Sequence, residues 1–203
     1  NQNILNIGSN DIPIVEYFKD IETVVVRTKI KTNFEIQEKK KIKTSGCANG
    51  TIFGNLLENF EDFKIESSSS ITSNQIFNLY KKINLLPSLY LKSGAIHGCL
   101  LCTNTEPLAF FEDVGRHNAI DKLAGFMMKE KISAKDKILY TTGRLTSEMV
   151  IKAVMMKLPI IASRSGFTAW GVELARKSQI TMIGRLRGRT FTILSGSERI
   201  KKG

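Results

Sequence analysis

Residues 110–122 read Phe110-Phe111-Glu112-Asp113-Val114-Gly115-Arg116-His117-Asn118-Ala119-Ile120-Asp121-Lys122. An apolar, strand-like run passes through two acids, a glycine, an arginine and a histidine into residues with helical spacing. Charged side chains gathered where a strand hands over to a helix suggest a site, because strand ends feed the ligand crevices of α/β folds. The competing reading is an Asp113 N-cap followed by an ordinary amphipathic helix. Spacing alone leaves both open.

On the C-terminal side of this stretch the spacing predicts a helix from about Gly115 to Lys129, with Ile120, Leu123, Ala124 and Met127 as its buried stripe. A strand over Lys137–Thr141 follows, then a helix over Ser147–Lys157 with Val150, Ile151, Val154 and Met155 at core spacing. Ile160–Ser163 reads as a strand, Thr168 as the cap of a helix reaching about Ser178, and Ile180–Gly184 and Arg189–Leu194 as strands. On the N-terminal side, Ala95–Cys102 and Pro107–Phe111 form a hairpin around Thr103-Asn104-Thr105-Glu106. A helix capped by Thr72 or Ser73 places Ile76, Phe77, Leu79, Tyr80 and Ile83 largely on one face and is closed by Pro87. The serine run Ser67–Ser70 reads as a mobile connection. Thr23–Ile30 is β-branched and strand-like, with a turn at Asn33 and a return over Phe34–Ile36, while residues 1–20 give no element. Alternating strands and helices call for an α/β fold with a mostly parallel sheet covered by helices.

The strand-to-helix joints share a composition. Gly115-Arg116, Gly143-Arg144 and Ser163-Arg164-Ser165-Gly166 each precede a helix, and Gly184-Arg185-Leu186-Arg187-Gly188-Arg189 follows the next strand. A helix N-terminus offers unpaired N–H groups and a partial positive charge, which favour phosphate. Parallel strands bring successive joints to one edge, so Arg116, Arg144 and Arg164 are expected to converge, with the Arg185–Arg189 turn as a fourth arm. Independent surface arginines are the plainer alternative, weakened by the recurrence.

The chain has 203 residues, 42% of them apolar and 24% charged, enough for a sizeable core in one domain or one with a smaller partner. No apolar run approaches the roughly 18 residues of a membrane helix, and the start lacks the basic and apolar regions of a signal peptide. It also lacks an initiating Met, which predicts that the true beginning is missing. Three cysteines, Cys47, Cys99 and Cys102, suit a reducing compartment rather than a disulfide framework, and a cytoplasmic location is expected. Lys and Arg number 30 against 19 acids, a net +11. Such a surplus attracts anions, whether nucleic acid, acidic protein or phosphorylated cofactor, and the planar fork of arginine suits phosphate.

Cys47 is the leading nucleophile candidate. It lies in the small, polar run Thr44–Thr51 just after Lys41 and Lys43, and neighbouring cations favour the thiolate; an idle surface cysteine is the alternative. Cys99 and Cys102 form a C-x-x-C on a predicted strand, where residues three apart face opposite ways, so both read as small buried hydrophobes. His97 and His117 are the two histidines. Asp121, four residues after His117, can share its helix face and orient the ring. Trp170 and the Met127-Met128 and Met155-Met156 pairs read as core or interface packing.

At this point the residues resemble a known family. Phe111 to Lys122 is similar to the E-D-V-G-R-H-N-A-x-D-K signature of the FdhD family, the formate dehydrogenase accessory sulfurtransferases. Gly143-Arg144-Leu145-Thr146-Ser147-Glu148-Met149-Val150 resembles the family's G-R-x-S-x-E-M-V region. Ser163-Arg164-Ser165, Val172-Glu173-Leu174-Ala175, the basic turn at 184–189, Thr44-Ser45-Gly46-Cys47 and His97 also correspond in order, over about residues 23–195.

The resemblance implies a cytidine-deaminase-like three-layer core over 71–203, preceded by a small, β-rich and incomplete region over 1–70 that carries the Cys47 loop. It implies a sulfur carrier that takes sulfur from a cysteine desulfurase as a persulfide on Cys47. The sulfur then passes to the molybdenum cofactor, bis-molybdopterin guanine dinucleotide, needed by formate dehydrogenase. Gly115, Arg116, His117, His97, Arg144, Arg164, Ser165, Arg185, Leu186, Arg187, Gly188 and Arg189 would hold that cofactor, with GDP as a partial mimic. A homodimer is expected, with no tightly bound metal, no nucleic acid and no membrane. The sequence departs from the family where Gly50 replaces a second loop cysteine, where Arg185 replaces a phenylalanine, and in a faint N-terminal match. Two rivals remain: a delivery chaperone without sulfur chemistry, and a deaminase-type hydrolase, which lacks the expected H-x-E with P-C-x-x-C.

Overall fold

The structure is a computed structural model that describes residues 13–29, 41–44, 50–53, 60 and 63–203. The chain forms two compact units, Gln2–Leu57 and Glu58–Gly203.

In the smaller unit, β1 (Ile14–Phe18) pairs antiparallel with β2 (Thr23–Arg27), Phe18 facing Thr23. Glu22 closes the connection in the left-handed region at φ 47°, and Arg27 Nε donates to Glu16 at 2.7 Å. No element was expected before residue 20, so β1 is a correction. A second antiparallel pair joins β3 (Lys41–Thr44) to β4 (Gly50–Phe53), with Thr44 opposite Gly50. Cys47 and the expected return over Phe34–Ile36 lie outside the described residues.

The larger unit is a mixed α/β layer structure. After the short β5 (Ile71–Thr72), helix α1 (Ser73–Asn84) opens on a reciprocal cap. Thr72 Oγ1 accepts the Gln75 N–H and Gln75 Oε1 accepts the Thr72 N–H, satisfying two donors that a helix start leaves open. Its buried residues Ile76, Leu79, Tyr80 and Ile83 recur at helical spacing. They meet Leu100, Tyr140, Ala162 and Ile183 in one core cluster; truncating one of these leucines or isoleucines to Ala costs about 2–5 kcal/mol.

The sheet runs β11-β10-β9-β8-β6-β7. Its strands are β6 (His97–Cys102), β7 (Pro107–Asp113), β8 (Ile138–Thr141), β9 (Ile160–Ser163), β10 (Thr181–Arg187) and β11 (Thr190–Ser195). β8, β9 and β10 are parallel, while β6 runs against both β7 and β8, and β11 runs against β10. Hence β7, β8, β9 and β10 all point one way. Helix α2 (Leu89–Ser93) precedes β6, and α3 (Arg116–Lys129), α4 (Ser147–Met155) and α5 (Ala169–Lys177) follow β7, β8 and β9 in turn. For the parallel units β8-α4-β9 and β9-α5-β10 the right-handed crossover rule puts α4 and α5 on one common face of the sheet, and the two helices pack on each other. Short β12 (Ile200–Lys201) pairs with β5.

Three local expectations change. Ser67–Ser70 is tied down: Ser67 Oγ donates to the Lys135 carbonyl at 2.9 Å, and Asn104 Nδ2 donates to the Ser70 carbonyl at 2.8 Å. Strand β10 continues through Arg187 instead of ending at Gly184, with a register shift between Gly184 and Arg187. Arg185 absorbs that bulge at φ 53°, so the turn itself is only Gly188-Arg189. Finally, Gly115 and not Asp113 is the N-cap of α3. Among the described residues no helix is long and apolar enough to cross a membrane.

Candidate functional site

The row His97, Asp113, Thr141 and Ser163 marks one edge of the sheet, because His97 faces Asp113 and Thr141 faces Ser163 in register. Every arginine-bearing joint leaves from this edge. At the β7–α3 joint, Asp113 Oδ1 accepts the Gly115 N–H at 2.9 Å and the Asn118 amide at 3.1 Å, and Oδ2 pairs with Lys122 Nζ at 2.7 Å. Those bonds, led by Lys122, hold the Asp113 carboxyl down at about 2. Glu112 turns the other way. Its carboxylate accepts Ser88 Oγ at 2.7 Å and the N–H groups of Leu89 and Tyr90 at 3.0 Å each, capping α2. Burial opposes ionisation of Glu112, but the bonds from Tyr90, Ser88 and Leu89 outweigh it and lower its pKa. Glu112 and Asp113 are therefore structural.

Arg116, 6% exposed, lies in the first turn of α3. A Cβ added to Gly143 would sit 3.1 Å from Arg116 Cβ and 3.4 Å from His97 Nδ1, so the three positions are packed together. Burial, then the charges of Arg116 and Arg144, push the His97 imidazole below its ordinary pKa. Burial and Arg116 do the same to His117, against the opposing pull of Glu148 and Asp121. Asp121 is engaged elsewhere, for both its oxygens accept Lys152 Nζ of α4, at 2.6 and 2.7 Å. His97 Nδ1, His117 Nε2 and Thr146 Oγ1 are buried without a hydrogen-bond partner.

The next two joints are stitched to each other. Ser163 Oγ donates to the Gly143 carbonyl at 2.6 Å and accepts the Ser165 N–H at 2.9 Å. The Leu145 N–H bonds the Gly166 carbonyl at 2.9 Å, and the Thr168 N–H bonds the Leu145 carbonyl at 3.1 Å. Thr168 also caps α5 by accepting the Gly171 N–H. Arg164 stacks over the Tyr90 ring at 5.1 Å and Arg185 over the Phe167 ring at 5.4 Å. The Arg185 N–H reaches the Ser165 carbonyl at 3.0 Å, and Arg187 Nε reaches the Arg164 carbonyl at 3.2 Å. A continuous path thus runs from His97 and Arg116 through Gly143, Ser163 and Ser165 to Arg185.

Of the remaining residues singled out in the sequence, Arg144, Gly188 and Arg189 are exposed. The Leu186 side chain belongs to the core cluster, which leaves only its backbone to a ligand. Cys99 and Cys102 are free, buried thiols, and burial pushes both up to about 12. Cys102 packs in the α1 cluster, whereas Cys99 donates to Thr141 Oγ1 at 3.4 Å. Sequence reading missed Tyr90, Glu148 and Lys152. The apolar periodicity of α4 marked Val150, Ile151 and Val154, and only burial in the fold distinguishes the charged Glu148 and Lys152, 4% and 8% exposed, from surface residues.

Fold and site define a mixed α/β protein with a cationic strand edge built from arginine-bearing joints. The chain belongs to the FdhD/NarQ family, whose profile matches residues 1–201. It is 34% identical over 193 residues to a sulfur carrier protein FdhD from Saccharolobus solfataricus, an alignment covering 94% of this chain and 74% of the relative. A protein of the same name from Wolinella succinogenes is 32% identical, with 94% and 66% covered. A solved structure from Desulfotalea psychrophila, assigned as a formate dehydrogenase accessory protein, shares the fold. Its TM-score is 0.65 at 21% identity, covering 94% of this chain and 98% of that one.

Proposed function

We propose that this protein is a sulfur carrier serving formate dehydrogenase, with Cys47 as the sulfur-bearing thiol. A cysteine desulfurase would place one sulfur atom on Cys47, giving Cys–S–SH. The S–S bond would then break, Cys47 leaving as the thiol, and the sulfur would pass to the molybdenum cofactor, bis-molybdopterin guanine dinucleotide. Two electrons from a cellular thiol or dithiol reductant would bring it to the sulfide level. In this reading the protein is a cytoplasmic sulfurtransferase acting as a homodimer, and its three-layer core is deaminase-like.

The observation that carries the reading is the gathering of Arg116, Arg144 and His97 at one sheet edge with the Arg164 and Arg187 joints beside them. Guanidinium forks bind phosphate oxygens bidentately, and each guanine dinucleotide half of the cofactor carries a pyrophosphate bridge. The buried, unpartnered His97 Nδ1 and Thr146 Oγ1 add uncharged hydrogen-bonding positions that fit a guanine or ribose. Family membership and the names of the relatives support the sulfur step.

The test is intact-mass spectrometry after incubation with a cysteine desulfurase and cysteine. One added sulfur atom is expected on the wild type and none on Cys47→Ala; the same adduct on Cys47→Ala would remove Cys47 from the role. Gly50 in the place of a second loop cysteine favours one other reading, a cofactor carrier without sulfur chemistry. That reading requires Cys47→Ala to restore formate dehydrogenase activity in cells lacking the native protein.

A further inference from the structure

Two cavities of about 510 and 330 Å³ share Lys135 and Lys157 in their walls. The first runs along α3 from Asp121 to Met128 and on to Lys135, with Met156 and Lys157 at the end of α4; the second meets the end of α4 at Val154, Met155 and Lys157. Met127, Met128, Ile132 and Met156 line the first cavity, and Val154 and Met155 the second. Methionine is unbranched and polarizable, so such a floor adapts to varied apolar side chains.

The rim is cationic. Lys64, Lys135 and Lys157 line these cavities, and among the described residues none of their ammonium groups has a carboxylate partner. Of the two lining acids, Asp121 is engaged by Lys152, leaving Glu66. Two carbonyls at each of these helix ends are closed internally. Ile132 N–H bonds Met127 O at 2.9 Å, Lys131 N–H bonds Met128 O, Leu158 N–H bonds Ala153 O at 3.1 Å and Lys157 N–H bonds Val154 O at 2.8 Å.

Both closures are Schellman turns, in which glycine is favoured at the left-handed position. Here those positions are Lys131 at φ 53° and Lys157 at φ 59°. Gln179 closes α5 in the same way at φ 57°, so this geometry is a common helix ending here; of the two lysines, Lys157 lines both cavities.

We propose that this groove docks an acidic segment of a partner protein, its apolar anchors seated on the methionines and its carboxylates on Lys64, Lys135 and Lys157. Charge selects this occupant over a second copy of the chain, which carries +11 itself. The inference goes beyond the sulfur-carrier reading and uses none of its residues.

The test uses the full chain with ¹³C-methyl methionine and a capped, helix-forming peptide of Glu, Ala and Leu. Saturable shifts are expected at the Met127, Met128 and Met156 methyls, weakening as salt rises. The double variant Lys135→Glu/Lys157→Glu should lose about tenfold or more in affinity and gain affinity for the same peptide with Lys in place of Glu. Lys157→Gly should weaken binding while its melting temperature holds or rises, which separates docking from folding. Unmoved methyls at about 1 mM peptide, or equal binding of the lysine peptide by wild type, would overturn the proposal. So would sedimentation showing a dimer that Met128→Asp dissociates, since the groove would then belong to a second copy.

Discussion

Lys152 Nζ sits 2.6 and 2.7 Å from the two carboxylate oxygens of Asp121, joining α4 to α3 directly behind the histidine that Asp121 was expected to orient. The lysine side chain is 10% exposed and the aspartate 45%. Removing either partner is therefore not symmetric, since only the lysine would be left as a buried, uncompensated charge. Asp121→Asn is expected to lower stability by about 2 kcal/mol, and Lys152→Met, which fills the same space with an apolar chain, by about 1 kcal/mol or less. Urea titrations of the two variants check this; a larger loss for Lys152→Met refutes it.

Asp113 makes stability depend on pH at the acid end. Its carboxyl titrates at about 2 in the folded protein against about 4 in an unfolded chain. The contribution is therefore fully present above about pH 4 and is lost as pH falls through the folded value. Asp113→Ala should be less stable than wild type at pH 6, and the difference should shrink steadily towards pH 2. A constant difference across that range would show that the Lys122, Gly115 and Asn118 contacts act without the charge.

The histidines set a second window. Burial and the neighbouring arginines lower the pKa of both His97 and His117, so below the usual value of about 6.5 the unfolded chain takes up protons before the folded one. Their neutral forms thus support stability above that pH, and the support is lost as pH falls below it. Imidazole titration by NMR should find both rings below the ordinary value. Adding inorganic pyrophosphate should raise the His97 value by neutralising Arg116 and Arg144, and an unchanged His97 titration would separate the ring from the anion site.

Two glycines separate the site from its support. Alanine at Gly171 would place Cβ 2.9 Å from the Leu145 carbonyl, a backbone atom with no freedom to retreat. Gly171→Ala should cost about 1–3 kcal/mol. At Gly143 the same change presses mainly on Arg116 and His97, so Gly143→Ala should weaken GDP binding more than it lowers the melting temperature. Calorimetric titration and melting of both variants distinguish the cases, and similar losses of stability in the two would refute the distinction.

The sheet and its helices were legible because each buries a periodic apolar stripe, as Ile76, Leu79, Tyr80 and Ile83 do on α1. Strand β1 was not, because its side chains are mostly exposed on both faces and carry no alternation to read. Helix α2 was invisible for another reason: the carboxylate that caps it, Glu112, arrives in sequence only after the whole of β6. The arginine joints were visible as recurring local patterns, and the register of β8 with β9 puts them on one edge. What each charge pairs with was not visible, since Asp121 has a helical neighbour four residues away and a better one thirty-one residues on.

The Glu112 cap has a reach beyond helix α2. By holding the Tyr90 N–H it fixes the ring on which the Arg164 guanidinium rests. A carboxylate on the rim strand β7 is thereby linked, through one aromatic spacer, to the arginine that follows the central strand β9. The two ends of this edge are thus tied by a chain of contacts, Ser88 and Glu112 to Tyr90 and Tyr90 to Arg164, so a change at Ser88 or Glu112 is expected to alter the freedom of an arginine that neither residue touches.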